Sequence, residues 1–424
     1  MSECLQLLHV QTIYGIKRYT ISTISMHLDA IGADVPWLLE ECEVKPAMDG
    51  LAGFLGDHMR ATLQVKVGEE IKTIHLFMKH LPMSNKPKAE FIEEFNFFRR
   101  EMFMYKLLEE VRPENSESNP WCSKVFMYTD TIIVMPDLAV EGYATRNFRE
   151  TFDLSHTLLT ATSVARFHAA FTNYETKKML NEKRPYSTYQ ENTKLLTDPT
   201  FCDSPWLRSC AKLTVNILGT FSSKYNDSDP DLESKLTKLY IETCDSFKEM
   251  PDTLNVLNHK DLWNNNILFK YENGAPINAM LIDFQCLRYG PPAFDLMIFL
   301  YLTTSRSFRE QHEKEILLHY YKTFNDNLDM SSKRRMENIG YNEIEFLRWC
   351  EKSRIFGALV AIARMPFILM DPKSAQETFD DPNTYEKYIY EDRSEPVIAH
   401  AKSCDVYRER QIEVSEEFVE RYVV

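Results

Sequence analysis

Hydrophobic and polar positions alternate through much of the chain between about residue 30 and residue 137, and this part reads as strand-rich. RATLQVKV (60–67) alternates with a period of two, Gly68-Glu69-Glu70 turns the chain, and IKTIHLFMKHL (71–81) returns, so the spacing predicts an antiparallel pair. EFIEEFNFFRREMFMYKLLEEV (90–111) sets Phe91, Phe95, Phe98, Met102 and Tyr105 at steps of three and four, the stripe of one continuous helix. A polar loop (112–120) follows, then SKVFMY and TIIVMPDL, two short strands joined through Thr129-Asp130. Residues 1–30 read as a helical lead-in. From about 152 the period lengthens and helices are expected near 154–174, 229–250, 292–302, 308–328, 343–369 and 403–422. The exception is 254–285, which is strand-rich. QETFDDPNTYEKYIYEDRSEP (376–396) is charged and punctuated by proline, and reads as a loop. The fold class is therefore α+β in two lobes. Residues 1–137 make a small antiparallel sheet with one key helix, and 138–424 make a larger, mainly helical part.

Composition narrows the partners more than the fold. The 44% apolar and 26% charged fractions are ordinary for a globular protein. A formal net charge of −14 argues against a general binder of nucleic acid or acidic membrane, while leaving room for a local basic pocket. Nine cysteines, an odd number without paired CxxC spacing, read as reduced thiols rather than a disulfide framework or a zinc site. The first residues lack a basic stretch followed by a long apolar one, and no run approaches the ~20 apolar residues of a membrane span. The expected location is the cytosol, with no nucleic-acid, membrane or obligate protein partner evident.

The chemistry concentrates in VLNHKDLWNNNILF (256–269). ILFKY (267–271) and NAMLID (278–283) are apolar strands flanking Asn273-Gly274, a strong turn signal. An antiparallel hairpin of these strands brings Asn266 and Asp283 together at its open end. Their hard oxygens suit Mg²⁺, which takes its other ligands from water and phosphate. Asp261 lies a short loop earlier. Each residue alone is compatible with a polar cap on a hairpin. Together, His259, Asp261, Leu262 and Asn266, followed by Asp283-Phe284-Gln285, match the catalytic and metal-binding stretches of protein-kinase-like phosphotransferases.

That template asks for a lysine on a sheet strand and a glutamate on the next helix, paired so that the ammonium meets the α- and β-phosphates of ATP. Lys79 ends the apolar run TIHLFMK and Glu101 borders the helical stripe. Lys79 is also readable as a strand-end surface residue, and Glu93, Glu94, Glu109 and Glu110 are rival acids. Gly50, Gly53 and Gly56 cluster before the first strand pair in a chain of only 12 glycines. Such a loop can approach phosphates closely, although a plain turn reads nearly as well. VMPDLAVEGY (134–143) is placed as an inter-lobe hinge, with Asp137 and Leu138 near the adenine and Pro136 unable to donate. His168 in ARFHAAF reads as a helix-packing residue. Asp295 reads either as a helix-start residue or as a clamp accepting N–H groups of the catalytic loop, and the clamp is favoured. His259 supports loop geometry, and Trp263 is a candidate floor for the acceptor pocket.

HKDLWNNNILF, LIDFQCLRYGPPAFDL, LFMKHLP, FFRREMFMY and ARFHAAF resemble, in order, the insect ecdysteroid-kinase-like family, within the choline-kinase and aminoglycoside-phosphotransferase superfamily. The resemblance covers about residues 50–300 and implies a bilobal protein-kinase-like fold. It further implies ATP- and Mg²⁺-dependent phosphorylation of a small-molecule alcohol, an ecdysteroid-type steroid foremost. Residue by residue it suggests Asp261 as base, Asn266 and Asp283 as Mg²⁺ ligands, and Lys79 with Glu101 on the phosphates. Lys260 departs from the family's usual Gly, Pro136 from its usual Glu, and Gln285 stands where choline and aminoglycoside kinases carry an acid. Competing readings are a detoxifying kinase of plant-derived or glycosylated alcohols, a choline- or ethanolamine-type kinase, and a nucleotide-binding pseudokinase scaffold.

Overall fold

A computed structural model describes residues 37–47, 55–111, 120–198, 200–225, 229–246, 250 and 252–423. The expected lead-in (1–30), Gly50, Gly53 and most of the polar loop 112–120 lie outside the described residues. The architecture is α+β, as the pattern of elements implied. Strands β1 (Trp37–Pro46), β2 (Asp57–Val67) and β3 (Glu70–His80) are followed by helices α1 (Lys86–Glu94) and α2 (Phe97–Val111). Strands β4 (Met127–Tyr128) and β5 (Ile132–Pro136) complete a sheet of order β1-β2-β3-β5-β4, antiparallel at every pairing.

The period of two sorts β3. Ile74, Leu76 and Met78 pack on one face with Ala61, Leu63, Val65, Ile132 and Val134, a small core belonging to the sheet itself. Phe77 and Lys79 occupy the other face, toward α2 and the cleft.

The single helix expected over 90–111 is two. Asn96 adopts φ +57°, a left-handed conformation that asparagine tolerates better than most residues, and Arg100 Nε donates to the freed Phe95 carbonyl at 3.2 Å. The break turns α1 toward the far end of the chain. Buried Lys88 pairs with Asp380 at 2.8 Å, Asn85 donates to the Asp380 carbonyl at 2.8 Å, and Phe91 meets Tyr385 and Tyr390.

Past β6 (Tyr143–Thr145), helices dominate: α3 (Leu154–Glu182), α4 (Thr188–Glu191), α5 (Thr193–Leu196), α6 (Pro205–Phe221) and α7 (Leu232–Ser246). Strand β7 (Val256–Asn258), the hairpin β8 (Ile267–Glu272) and β9 (Ala275–Leu281), and β10 (Arg288–Gly290) interrupt them. Helices α8 (Ala293–Thr303), α9 (Arg306–Asp326), α10 (Met330–Asn338) and α11 (Glu343–Ile368) follow. Segment 376–396 is not the loop its composition suggested. It carries the end of α12 (Pro372–Phe379), a π-helical turn (Lys387–Glu391) and the start of α13 (Ser394–Ser403), ahead of α14 (Asp405–Tyr422). Proline misled the reading only in part: Pro382 does lie in a turn, but Pro396 sits in the first turn of α13, where a missing N–H costs no intrahelical bond.

Helices α8 and α11 form the centre of the helical part, and α8 is buried along its whole length. Their approach depends on Gly357, whose added Cβ would lie 2.7 Å from the Met297 carbonyl carbon. Gly357→Ala is expected to destabilise the protein by about 1–3 kcal/mol, since the clash is with backbone and outweighs a helix-propensity gain of at most ~1 kcal/mol. A denaturant midpoint equal to that of the native protein would refute this close approach.

Candidate active site

Lys79 projects from β3 into a buried knot of polar groups. Its Nζ donates to Glu101 Oε2 at 2.7 Å, Asp283 Oδ1 at 2.7 Å and Gln285 Oε1 at 3.0 Å. Burial works against the ammonium, but the Asp283 and Glu101 carboxylates outweigh it and hold Lys79 above the ordinary lysine range. Glu101, on α2, is fully buried and takes a second hydrogen bond from the Tyr105 hydroxyl at 2.8 Å. The rival acids are elsewhere: Glu93 and Glu94 are exposed, Glu109 accepts from Tyr128, and Glu110 pairs with Lys178.

Gly56 adopts φ +146°, and a Cβ there would stand 3.2 Å from Lys79 Cε. Its missing side chain makes room for the lysine stem; Gly53, its expected companion, is not described.

The hairpin brings the downstream motifs together. Asn273 and Gly274 both have positive φ and close a two-residue turn between Glu272 and Ala275. At the open end Ile267 faces Leu281, and the Ile282 N–H donates to the Asn266 carbonyl at 3.1 Å. Asp283, the next residue, holds φ +66°, a strained conformation for a non-glycine residue that aims its carboxylate at Lys79. Gln285 Nε2 donates to Asp283 Oδ2 at 3.2 Å, so the amide bridges lysine and carboxylate.

The loop before β8 is bonded from several sides. Asp295, on α8, accepts the His259 N–H at 2.6 Å and the Lys260 N–H at 2.7 Å, and His168 Nε2 lies 3.1 Å from the same carboxylate. His259 Nε2 reaches the Ile282 carbonyl at 2.9 Å while its Nδ1 accepts the Asp261 N–H at 3.3 Å, which engages both ring nitrogens in structure. Asn266 Nδ2 donates to the Asp261 carbonyl at 2.8 Å and to its Oδ2 at 3.2 Å. Among the described residues, no donor reaches Asn266 Oδ1. Asn264 Nδ2 donates to the carbonyls of Asn147 and Glu150, both at 2.8 Å, and ties down the loop beside the cleft. Trp263 is buried in the main core and is not among the residues lining that cleft.

The cleft itself measures about 690 Å³ and runs from Lys79, Glu101 and Asp283 past Asn266 to Met135, Asp137 and Leu138. The Asp137 N–H is committed to the His75 carbonyl at 3.0 Å, and its carboxylate pairs with Arg60 Nε at 2.9 Å. Among the described residues, no acceptor receives the Leu138 N–H. Burial, with the Lys79 ammonium, pushes the His58 imidazole on the cleft wall down to about 3, so that ring is neutral.

Three residues escaped the sequence reading: Asp198, Arg288 and Arg364. Lys260 has φ +64°, the region glycine favours, and its buried Nζ lies 2.5 Å from Asp198 Oδ2 and 5.0 Å from the Phe201 ring centre. Arg288 joins the same carboxylate at 3.4 Å. Burial pushes the Asp198 carboxyl up, yet Lys260 and Arg288 prevail and hold it well below the ordinary range. The third is Arg364 on α11, whose Nη1 lies 3.2 Å from Asp261 Oδ1. One signal in the sequence pointed to it: Arg364 is the single charge in IFGALVAIARMPFILM (355–370).

A sheet lysine paired to a helix glutamate, facing an Asp–Asn loop and a hairpin aspartate across a cleft, defines a kinase-like fold and site. The sequence profile of the ecdysteroid kinase-like family matches residues 50–332, and the chain belongs to that family. An uncharacterized kinase-like protein of Caenorhabditis elegans is 25% identical over 194 residues, 45% of this chain and 47% of the relative, so the match spans about half that relative's length. Among solved structures, the apo form of a thermostable mutant of aminoglycoside phosphotransferase APH(4)-Ia aligns with 10% identity and a TM-score of 0.32 over 93% of this chain and 98% of that one. The GDP complex of aminoglycoside 2'-phosphotransferase-IIIa aligns with 10% identity and a TM-score of 0.33 over 95% and 99%. Among the described residues, no single helix is long and apolar enough to cross a membrane.

Proposed function

We propose that this protein transfers the γ-phosphoryl group of ATP, with Mg²⁺, to a hydroxyl of a small molecule, an ecdysteroid-type steroid alcohol foremost. The observation that carries the reading is the convergence of Lys79, Glu101, Asp283 and Asn266 at one end of a cleft of about 690 Å³, with Asp261 hydrogen-bonded to Asn266. In it, residues 1–137 serve as the nucleotide lobe and 138–424 as the lobe of base, metal ligands and acceptor.

The residues suit Mg²⁺. Asn266 Oδ1 and Asp283 offer two hard oxygens, and the described residues contain no cluster of three or more His, Cys, Asp or Glu to hold a metal unaided. Asn266 and Asp283 would hold the ion together with water and nucleotide phosphates, and it would supply charge neutralisation at those phosphates. Lys79, oriented by Glu101, meets the α- and β-phosphates, and the Leu138 N–H meets the base of the nucleotide. Asp261 accepts the hydroxyl proton as the acceptor oxygen bonds to phosphorus. The bond from phosphorus to the departing oxygen breaks, and its electron pair leaves with ADP.

Incubating the protein with Mg·ATP and a panel of ecdysteroids, plant glycosides and choline tests the reading. Mass spectrometry should find a gain of one phosphate on the ecdysteroid. A product confined to glycosides would select the detoxifying reading, and one confined to choline the choline-kinase reading. Nucleotide binding without any product would leave a pseudokinase scaffold.

A further inference from the structure

Resting on the kinase reading, we infer that Arg364 is a further catalytic residue, contacting the phosphoryl group during its transfer. Arg364 emerges from a stretch of α11 whose neighbours Ala361, Ile362, Ala363 and Met365 are buried. A guanidinium in such surroundings is costly to keep unless its donors are used. They are used sparingly. Nη1 lies 3.2 Å from Asp261 Oδ1 as an ion pair, Nη2 donates to the Cys286 thiol sulfur at 3.4 Å, a weak acceptor, and Nε has no acceptor among the described residues. Asp261 Oδ1 likewise receives no hydrogen bond of good geometry. The side chain is 17% exposed.

A fork of five N–H groups with most of them unspent matches the oxygens of a phosphoryl group better than any neutral ligand. Its position selects which anion. Lys79 reaches the site from the sheet and Arg364 from the helical lobe, with Asp261 touching the arginine directly. The acceptor hydroxyl must sit on Asp261 to give up its proton, so the group received by that oxygen passes beside the guanidinium. The developing negative charge on its oxygens is where a preorganised cation acts in the transfer.

The test measures binding of ADP with Mg²⁺, with and without aluminium fluoride, to the native protein, Arg364→Ala and Arg364→Lys, beside steady-state kinetics. Fluoride should tighten ADP on the native protein by mimicking the group in flight. Arg364→Ala should bind ADP alone unchanged, lose at least roughly tenfold of that tightening, and lose roughly 10²–10³-fold in kcat with acceptor KM nearly constant. Added guanidinium ion should restore part of that kcat. Arg364→Lys, which keeps the charge and most of the packing but not the fork, should fall between, and it serves if the alanine variant does not fold. Intact tightening in both variants would overturn the inference. So would a rise in acceptor KM at constant kcat, which would assign Arg364 to an anion on the acceptor. Absence of fluoride-dependent tightening in the native protein would overturn the kinase reading itself.

Discussion

Asp261→Asn should reduce acceptor phosphorylation by roughly 10²–10⁴-fold, the scale of a lost general base, while ADP and ATP still bind. The substitution preserves shape. The backbone bonds from Asp261 to His259 and Asn266 persist, so the loop stays in place. What disappears is the carboxylate proposed to take the hydroxyl proton, which faces Arg364 at 3.2 Å. Asp261 is not among the cleft-lining residues, which separates its role from nucleotide affinity. Calorimetry with ATP and a phosphate-transfer assay on the same preparation measure the two effects independently. Turnover equal to that of the native protein would remove Asp261 from the mechanism.

The second large effect is expected from the buried ionic cluster behind the same loop. Asp198→Ala would strand two cations, Lys260 and Arg288, both nearly inaccessible to water. Removing one partner of a buried pair costs about 3–5 kcal/mol, because the remaining charge keeps its desolvation penalty and loses its compensation. The variant should unfold at correspondingly lower denaturant. Lys260→Gly should cost less. It relieves a left-handed backbone at φ +64°, and Asp198 keeps Arg288 and the N–H groups of Thr200 and Phe201. Equilibrium unfolding of both variants measures the order, and a greater loss in Lys260→Gly would contradict this account. The cluster also explains how a lysine holds a left-handed backbone: ion pairing offsets the strain.

The local part of the fold was readable from residue order. Alternation in 60–67 and 71–81 made strands because a half-buried strand exposes every second side chain, and Asn273-Gly274 made a hairpin because both residues tolerate positive φ. Asp261, Asn266, Asp283 and Lys79 were legible as candidates because kinase-like chemistry needs those residue types in that order, while Glu101 stood among rival acids. Helix identity over 90–111 was right in kind and wrong in continuity: the heptad-like stripe runs through Asn96, and contacts to Asp380 and Tyr385 belong to the broken form. The same contacts hold helices in a segment whose charge and prolines read as loop.

Sequence alone therefore determined the strands, the hairpin and the candidate catalytic set, all of which follow from local spacing or a short ordered motif. Tertiary structure alone decided that Glu101 and not its rivals faces Lys79, and that Gly56 makes room for that lysine. It also decided that Lys260 is locked to Asp198 and that Arg364 meets Asp261. Those pairings join residues far apart in the chain, and their strength comes from burial away from water, a property that no residue carries until the chain has folded around it.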